Sequence, residues 1–347
     1  MSRRTPALIA AAVLLPLALT ACSSAESTDA GPEAAAKSDG FPYTVKNCGV
    51  TTTYKAPPKR VVTMNQHVTE IMLELGLTKS LVGTAYLDDK VLPKYAKDYA
   101  SVPVLAKEYP SYEQVLAANP DFVYGGYGSA FTAADGRGRD AFGKAGIETR
   151  LNTESCTKGD QPMDTLYDEI REVGRTFGVP DRAEAWVKQA EADNAATAKK
   201  LAGVKPVSVF VYDSGDKTAF TAGGEGIGNE LIERAGGTNV FADLDKPFGD
   251  ASWENVVARK PEVIVIYDYG ATTVEQKKKR LLTDPALADV PAIKNKRFAV
   301  MPLSDAVLGV RGGRSATRWC SACSPCSSAP PCSPPSPSAP SASRPAR

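Results

Sequence analysis

Short apolar runs alternate with stretches of helical spacing along most of this chain. In the first half, "RVVTM" leads to a helix expected from about Thr69 to Leu75 and closed by Gly76. "LVGTAY", a helix starting near Ser111, the run "DFVYGG", a helix around Ala141 to Ala145 and the run "IETRLN" follow. In the second half "VSVFVY" precedes the helical "GNELIERAGG", a second short helix, "VIVIYDYG" and "FAVMPL". Strand-length apolar runs separated by amphipathic helices predict an α/β fold with mainly parallel sheets. Between the halves lies a long polar helical segment, Asp181 to Gly203, with an acidic start and a Lys-Lys-Leu-Ala-Gly finish that suit a helix dipole and its cap. About 22 residues give a helix roughly 33 Å long, enough to pass from one lobe to another.

The two halves also share a phrase. "SYEQVLAANPDFV", Ser111 to Val123, returns as "SWENVVARKPEVI", Ser252 to Ile264, with Ser, Glu, Val, Ala and Pro in register. Ser111 can cap its helix with Gln114 as a capping box, and Ser252 can do the same with Asn255 less well. Glu113 and Glu254 then fall in a first helical turn, where a carboxylate is favoured. Helix-end electrostatics alone is thus one account of these two residues.

The ends differ from the rest. Arg3 and Arg4 precede an apolar run from Ala7 to Leu19 and then "LTAC", so residues 1–21 read as an export signal. "LTAC" resembles the bacterial lipobox, in which the Cys is diacylated; this makes Cys22 the expected lipidation site and the extracytoplasmic face of the cell membrane the expected location. The alternative is a plain signal peptide that happens to contain Cys22. Residues 22–40 are small and polar, as in a flexible tether. From 314 to 347 the chain is almost wholly Ser, Pro, Ala, Arg and Cys, a vocabulary that cannot build a core. It reads as disordered and as the product of a frameshift in GC-rich DNA, which would cost the second lobe its terminal helix. A genuine Pro/Ser tail or a Cys-rich metal tract is the alternative.

Charge shifts once the ends are set aside. The whole chain has 41 basic and 40 acidic residues. Without the two arginines of the leader and the four of the tail, 35 basic residues face the 40 acidic ones, so no basic field points to nucleic acid. Of seven cysteines, Cys48 and Cys156 alone lie in the core, and export to an oxidising compartment favours a disulfide between them over two buried thiols.

Four segments, in this order, resemble one family: "PKRVVTMNQHVTEIMLELGLTKSLVGTA", "YEQVLAANPDFVY", "TAGGEGIGNELIERAGGTNVFAD" and "WENVVARKPEVIVI". They are similar to the substrate-binding lipoproteins of ABC importers for ferric siderophores, haem and vitamin B12. The resemblance implies two Rossmann-like lobes, residues 41–180 and 205–313, joined by one linker helix over 181–204. It implies a monomer that captures a small-molecule metal chelate and delivers it to a permease and its ATPase. It also implies that Glu113 and Glu254 meet arginines on the two permease subunits. An iron-siderophore chelate is the expected ligand; haem, a corrinoid, or ligand sensing without a transporter are the alternatives.

Ligands of parallel sheets sit beyond the carboxyl ends of strands. That rule selects Asn65, Gln66, His67, Tyr86, Asp88, Tyr124 and Tyr127 in the first lobe. In the second it selects Tyr212, Asp213, Lys217, Tyr267, Tyr269, Ser304 and Asp305. Aromatic rings suit a bulky chelate with a few polar groups. His67 is the only histidine, too few for the several His ligands of a bare-metal receptor, so no metal site and no cofactor are expected. Nor is catalysis expected: "GYGSA" lacks nucleophile-elbow spacing and "GGEGIG" is not a dinucleotide fingerprint. The pair Asp88 and Asp89 reads otherwise as a solvated loop.

Overall fold

The computed structural model describes residues 40–306, apart from Thr157, together with Cys320. The leader, Cys22, the tether as far as residue 39 and the terminal segment lie outside the described residues. Of that segment only Cys320 is described, half-buried against the core.

A hairpin of β1 (Tyr43–Asn47) and β2 (Val50–Tyr54) opens the fold. The first main sheet contains β3 (Val61–Met64), β4 (Leu81–Ala85), β5 (Val104–Ala106), β6 (Phe122–Gly125) and β7 (Glu148–Leu151). Its order is β5-β4-β3-β6-β7, parallel throughout. The second sheet has β8 (Val207–Tyr212), β10 (Gly237–Asn239), β12 (Val263–Asp268) and β13 (Phe298–Pro302) in the order β10-β8-β12-β13, again parallel. A small antiparallel pair, β9 (Ala219–Ala222) with β11 (Phe248–Ala251), accompanies it. Central strands such as β8 and β12 are covered on both faces, which is why they read as unbroken apolar runs.

Helices α1 (Gln66–Glu74), α2 (Ala96–Tyr99), α3 (Tyr112–Ala117) and α4 (Arg139–Lys144) connect the first sheet. Helices α5 (Met163–Thr176) and α6 (Pro180–Leu201) lead to the second, where α7 (Ile227–Arg234), α8 (Trp253–Arg259), α9 (Val274–Thr283), α10 (Pro291–Lys294) and α11 (Leu303–Ala306) complete the chain. Helix α6 occupies the expected linker span. Pro180 opens it, Asp181 lies in its first turn and Lys199 and Lys200 in its last, an arrangement matched to the dipole. It packs closely on α5: a Cβ at Gly174 would stand 2.4 Å from the Ala183 methyl.

Helix α1 starts three residues earlier than the spacing predicts. Asn65 turns the chain at φ 89° and ψ 151°, a positive-φ conformation that favours glycine, and Gln66 and His67 are therefore in the first helical turn.

Both main sheets reverse their winding once. In the first, the chain runs β3, β4, β5 in one direction and resumes on the other side with β6 and β7; in the second the reversal falls between β8 and β12. The carboxyl ends of β3 and β6, and of β8 and β12, are thus the places where a crevice opens.

Candidate ligand-binding cleft

At the first crevice, His67 follows β3 and Tyr127 follows β6, and their rings meet with centroids 4.8 Å apart. His67 is buried and its Nε2 has no hydrogen-bond partner. Burial lowers its pKa below the usual 6.5, against the opposing pull of Asp88, the Gly126 backbone and Glu169, so the ring is neutral near pH 7. The contact needs Gly126, since a Cβ there would stand 2.4 Å from His67 Cε1.

A polar brace fixes the same floor. Asp88 Oδ2 accepts from the Gln66 backbone N–H at 2.8 Å and Oδ1 from Asn65 Nδ2 at 3.4 Å, so Asp88 caps α1 from the neighbouring loop. It is not the solvated loop acid that the Asp88–Asp89 pair resembles. Gln66 gives its amide to Lys90 O and Glu70 and accepts from the Asp89 N–H, so it clamps that loop and does not face the cleft. Tyr109, which the sequence rule missed, donates to Asn65 Oδ1 at 3.0 Å and stacks on Tyr86 at 4.5 Å. It follows the three-residue β5 by only a few positions, where no strand-length apolar run marks the end.

Tyr124 is a correction. Alternate residues of β6 face opposite sides, and Tyr124 joins Phe122 in the buried layer, its hydroxyl donating to Glu169. There Arg150 pairs with Glu169 and Glu172, and Thr153 also donates to Glu169. Tyr124 thus belongs to a polar core.

At the second crevice, the Tyr269 hydroxyl reaches both carboxylate oxygens of the buried Asp213. Burial raises the Asp213 pKa, and burial together with the Asp213 charge raises that of Tyr269. Lys277, buried within an apparently solvated "QKKKR" run, donates to Tyr267 O at 2.6 Å and lies 5.5 Å from the Tyr269 ring. Lys217 is exposed on the turn between β8 and β9, and the lysine beside Asp213 is Lys277. Tyr267 is buried against Phe248, with Gly228 of α7 beside its hydroxyl. Ser304 and Asp305 are buried in α11.

The two crevices face one another electrically. Tyr127 lies within reach of the charges of Asp88 and Glu154 and of Tyr269 across the gap. Tyr269 in turn responds to Asp88, and Tyr267 to Glu154. The site is therefore a cleft of phenol rings from both lobes with carboxylates set among them.

Glu154 reaches this place because its segment is tied down. Cys48 and Cys156 form a disulfide with Cα atoms 5.4 Å apart, and Asn47 holds Leu151 by its backbone N–H and C=O, both at 2.9 Å. Glu113 and Glu254 lie apart from the cleft residues, exposed in the first turns of α3 and α8. Ser111 and Gln114 form a full capping box; Ser252 accepts only from the Asn255 N–H. The helices precede β6 and β12, so both first turns stand at the carboxyl edge of their sheet, the edge on which the cleft opens.

Residues 61–304 match the family model described as periplasmic binding protein. The chain belongs to that family. The uncharacterized ABC transporter substrate-binding lipoprotein YvrC of Bacillus subtilis (strain 168) is 26% identical over 293 residues, 83% of this chain and 87% of that protein. A periplasmic binding protein from Veillonella parvula superposes with a TM-score of 0.74 at 30% identity, over 81% of this chain and 96% of its own. The ABC-type Fe3+-hydroxamate transport system structure from Saccharomonospora viridis gives 0.68 at 25% identity, over 81% and 99%. These bear out the resemblance and the fold: the molecule is a substrate-binding protein of an ABC transporter and not an enzyme. Among the described residues no helix is long and apolar enough to cross a membrane.

Proposed function

We propose that this periplasmic binding protein captures a ferric siderophore-type chelate outside the membrane, held there by a lipid on Cys22, and delivers it to an ABC permease powered by its ATPase. The observation that carries this is the cleft itself, bordered by Tyr86, Tyr109, Tyr127 and Tyr269, with the carboxylates of Asp88, Asp213 and Glu154 near enough to act on its phenols. Flat phenols suit the apolar bulk of a chelate, and the carboxylates favour a neutral or positively charged one. Ferric citrate and the carboxylates of haem would meet repulsion there. A hydroxamate chelate, whose iron charge is balanced by its own donors, fits best. Capture needs no resident cofactor, and Glu113 and Glu254 serve as the two permease contacts.

Tryptophan fluorescence titrated with a ferric trihydroxamate, ferric citrate, haemin and cyanocobalamin tests this. The trihydroxamate should bind at least tenfold tighter than the others, about 1.4 kcal/mol. Tighter binding of cyanocobalamin or haemin would replace the proposal with a corrinoid or haem receptor.

A further inference from the structure

Arg137 lies on the connection between β6 and α4 and is 7% exposed. An arginine is seldom so buried unless it is well paired. Its ion pair is with Asp135, at 3.0 Å, a side chain that is 54% exposed. Three further contacts go to carbonyl oxygens: Nε to Ala130, Nη1 to Pro110 and Nη2 to Ser129, each at 3.4 Å. Good N–H···O bonds fall at about 2.7–3.2 Å, so these are long. Stapling the loop therefore accounts for only part of the burial.

The other contact is with the cleft wall. The guanidinium lies over the ring of Tyr109, 5.3 Å from its centroid, and Tyr86 stacks on the same residue at 4.5 Å. Tyr109 is the common member of both contacts. Its hydroxyl donates to Asn65 at 3.0 Å and lies 2.9 Å from Ser129 Oγ. Arg137 thus meets the backbone at Pro110, next to Tyr109 in the chain, and at Ser129, next to its hydroxyl. A separate observation concerns Tyr86. It takes φ 51°, a left-handed conformation that is strained for an aromatic residue. Such a conformation persists only where its surroundings over-determine it, and the stack on Tyr109 is part of those surroundings.

We infer that Arg137 is a positioning residue for ligand capture. It acts through Tyr109, whose ring and neighbouring backbone it fixes, and so holds Tyr86 where that residue borders the cleft. The inference rests on the cleft reading above and not on which chelate fills the cleft.

Fluorescence titrations of the wild type, Arg137→Met, Tyr86→Ala and the double variant with a ferric trihydroxamate, ferric citrate, haemin and cyanocobalamin test it. Which probe binds tightest decides the proposed function; the loss caused by Arg137→Met, read on that probe, decides the inference. Arg137→Met should weaken binding about tenfold in the wild type and less than about twofold where Tyr86 is already alanine. A residue that only staples the loop would act equally in both backgrounds, or on melting temperature alone. Near-ultraviolet circular dichroism needs no bound chelate: Arg137→Met should lose much of the tyrosine signal that Tyr86→Ala loses. Arg137→Lys, which keeps the charge without the planar fork, carries the same cycle if Arg137→Met does not fold. Undiminished affinity, equal losses in both backgrounds, or an unchanged tyrosine signal would each overturn the inference.

Discussion

The Tyr269 hydroxyl stands 2.9 and 3.0 Å from the two carboxylate oxygens of Asp213, a bifurcated donor to a buried acid. It is a hydrogen bond to Asp213 in which Tyr269 also presents its ring to the cleft, so one residue serves stability and binding. Tyr269→Phe keeps the ring and removes the donor. The expected cost is about 1–3 kcal/mol of stability, from the desolvated carboxylate left without its partner. Urea denaturation of the variant checks this, and an Asp213→Asn change added to it should recover part of the loss.

Acid should loosen the fold through His67. Burial holds its folded pKa below 6.5, so the unfolded chain takes up a proton near that pH that the folded chain refuses. Stability is therefore full above pH 6.5 and falls as pH drops below it. Asp213, with its raised pKa, works in the opposite sense, and Glu169 acts only below its usual 4.5: burial pushes it up, but Arg150 outweighs that and lowers it. Melting temperatures from pH 7.5 to 5.5 should decline for the wild type and stay flatter for His67→Gln. Parallel curves would show that the ring is protonated without cost.

The cleft floor depends on backbone approach. Gly126→Ala places a methyl 2.4 Å from His67 Cε1 and 2.7 Å from Asn65 Cβ, which must displace the His67–Tyr127 pair. Chelate affinity should fall about tenfold, close to 1.4 kcal/mol. Gly128→Ala, two residues on and with nothing within 4 Å of the new methyl, is the control and should bind as the wild type does.

Beneath the cleft, Glu169 is enclosed with Arg150 and the Tyr124 hydroxyl. Glu169→Gln leaves a guanidinium that is 1% exposed with only the partly exposed Glu172 as counter-charge, so the cost should approach the roughly 3–5 kcal/mol of a broken buried pair. The midpoint of urea unfolding should shift accordingly, and Arg150→Met combined with Glu169→Leu should be milder than Glu169→Gln alone.

Local patterns in the sequence foretold much of this. Strands buried on two faces write themselves as "VSVFVY" and "VIVIYD", and Ser111 and Ser252 announce their helices because a cap is a contact between near neighbours. What escaped depends on distant partners. Lys277 looks solvated in its run of four cations, and only the carbonyl of Tyr267 explains its burial. Asp88 caps a helix that begins 22 residues earlier, and Tyr124 was misplaced because the strand-end rule does not say which face of β6 a side chain takes. The hairpin of β1 and β2 was missed since its buried positions include Thr52, and a threonine does not register as a core residue.

Glu113 and Glu254 are exposed, and each carboxylate is held below the usual range by a hydrogen bond from its own backbone N–H and by its capping serine. They remain ionised through the physiological range and stand on the cleft edge of separate lobes, unpaired with any lysine or arginine among the described residues. Such charges contribute to encounter with a partner more than to folding. Glu113→Lys or Glu254→Lys should leave the melting temperature and the trihydroxamate affinity nearly unchanged and reduce uptake in cells that carry the cognate permease, with the double variant lowest. Stimulation of the transporter's ATPase in proteoliposomes should fall in parallel and recover partly when arginines on the permease are changed to glutamate. If uptake is normal in both variants, the two glutamates are helix-end charges alone.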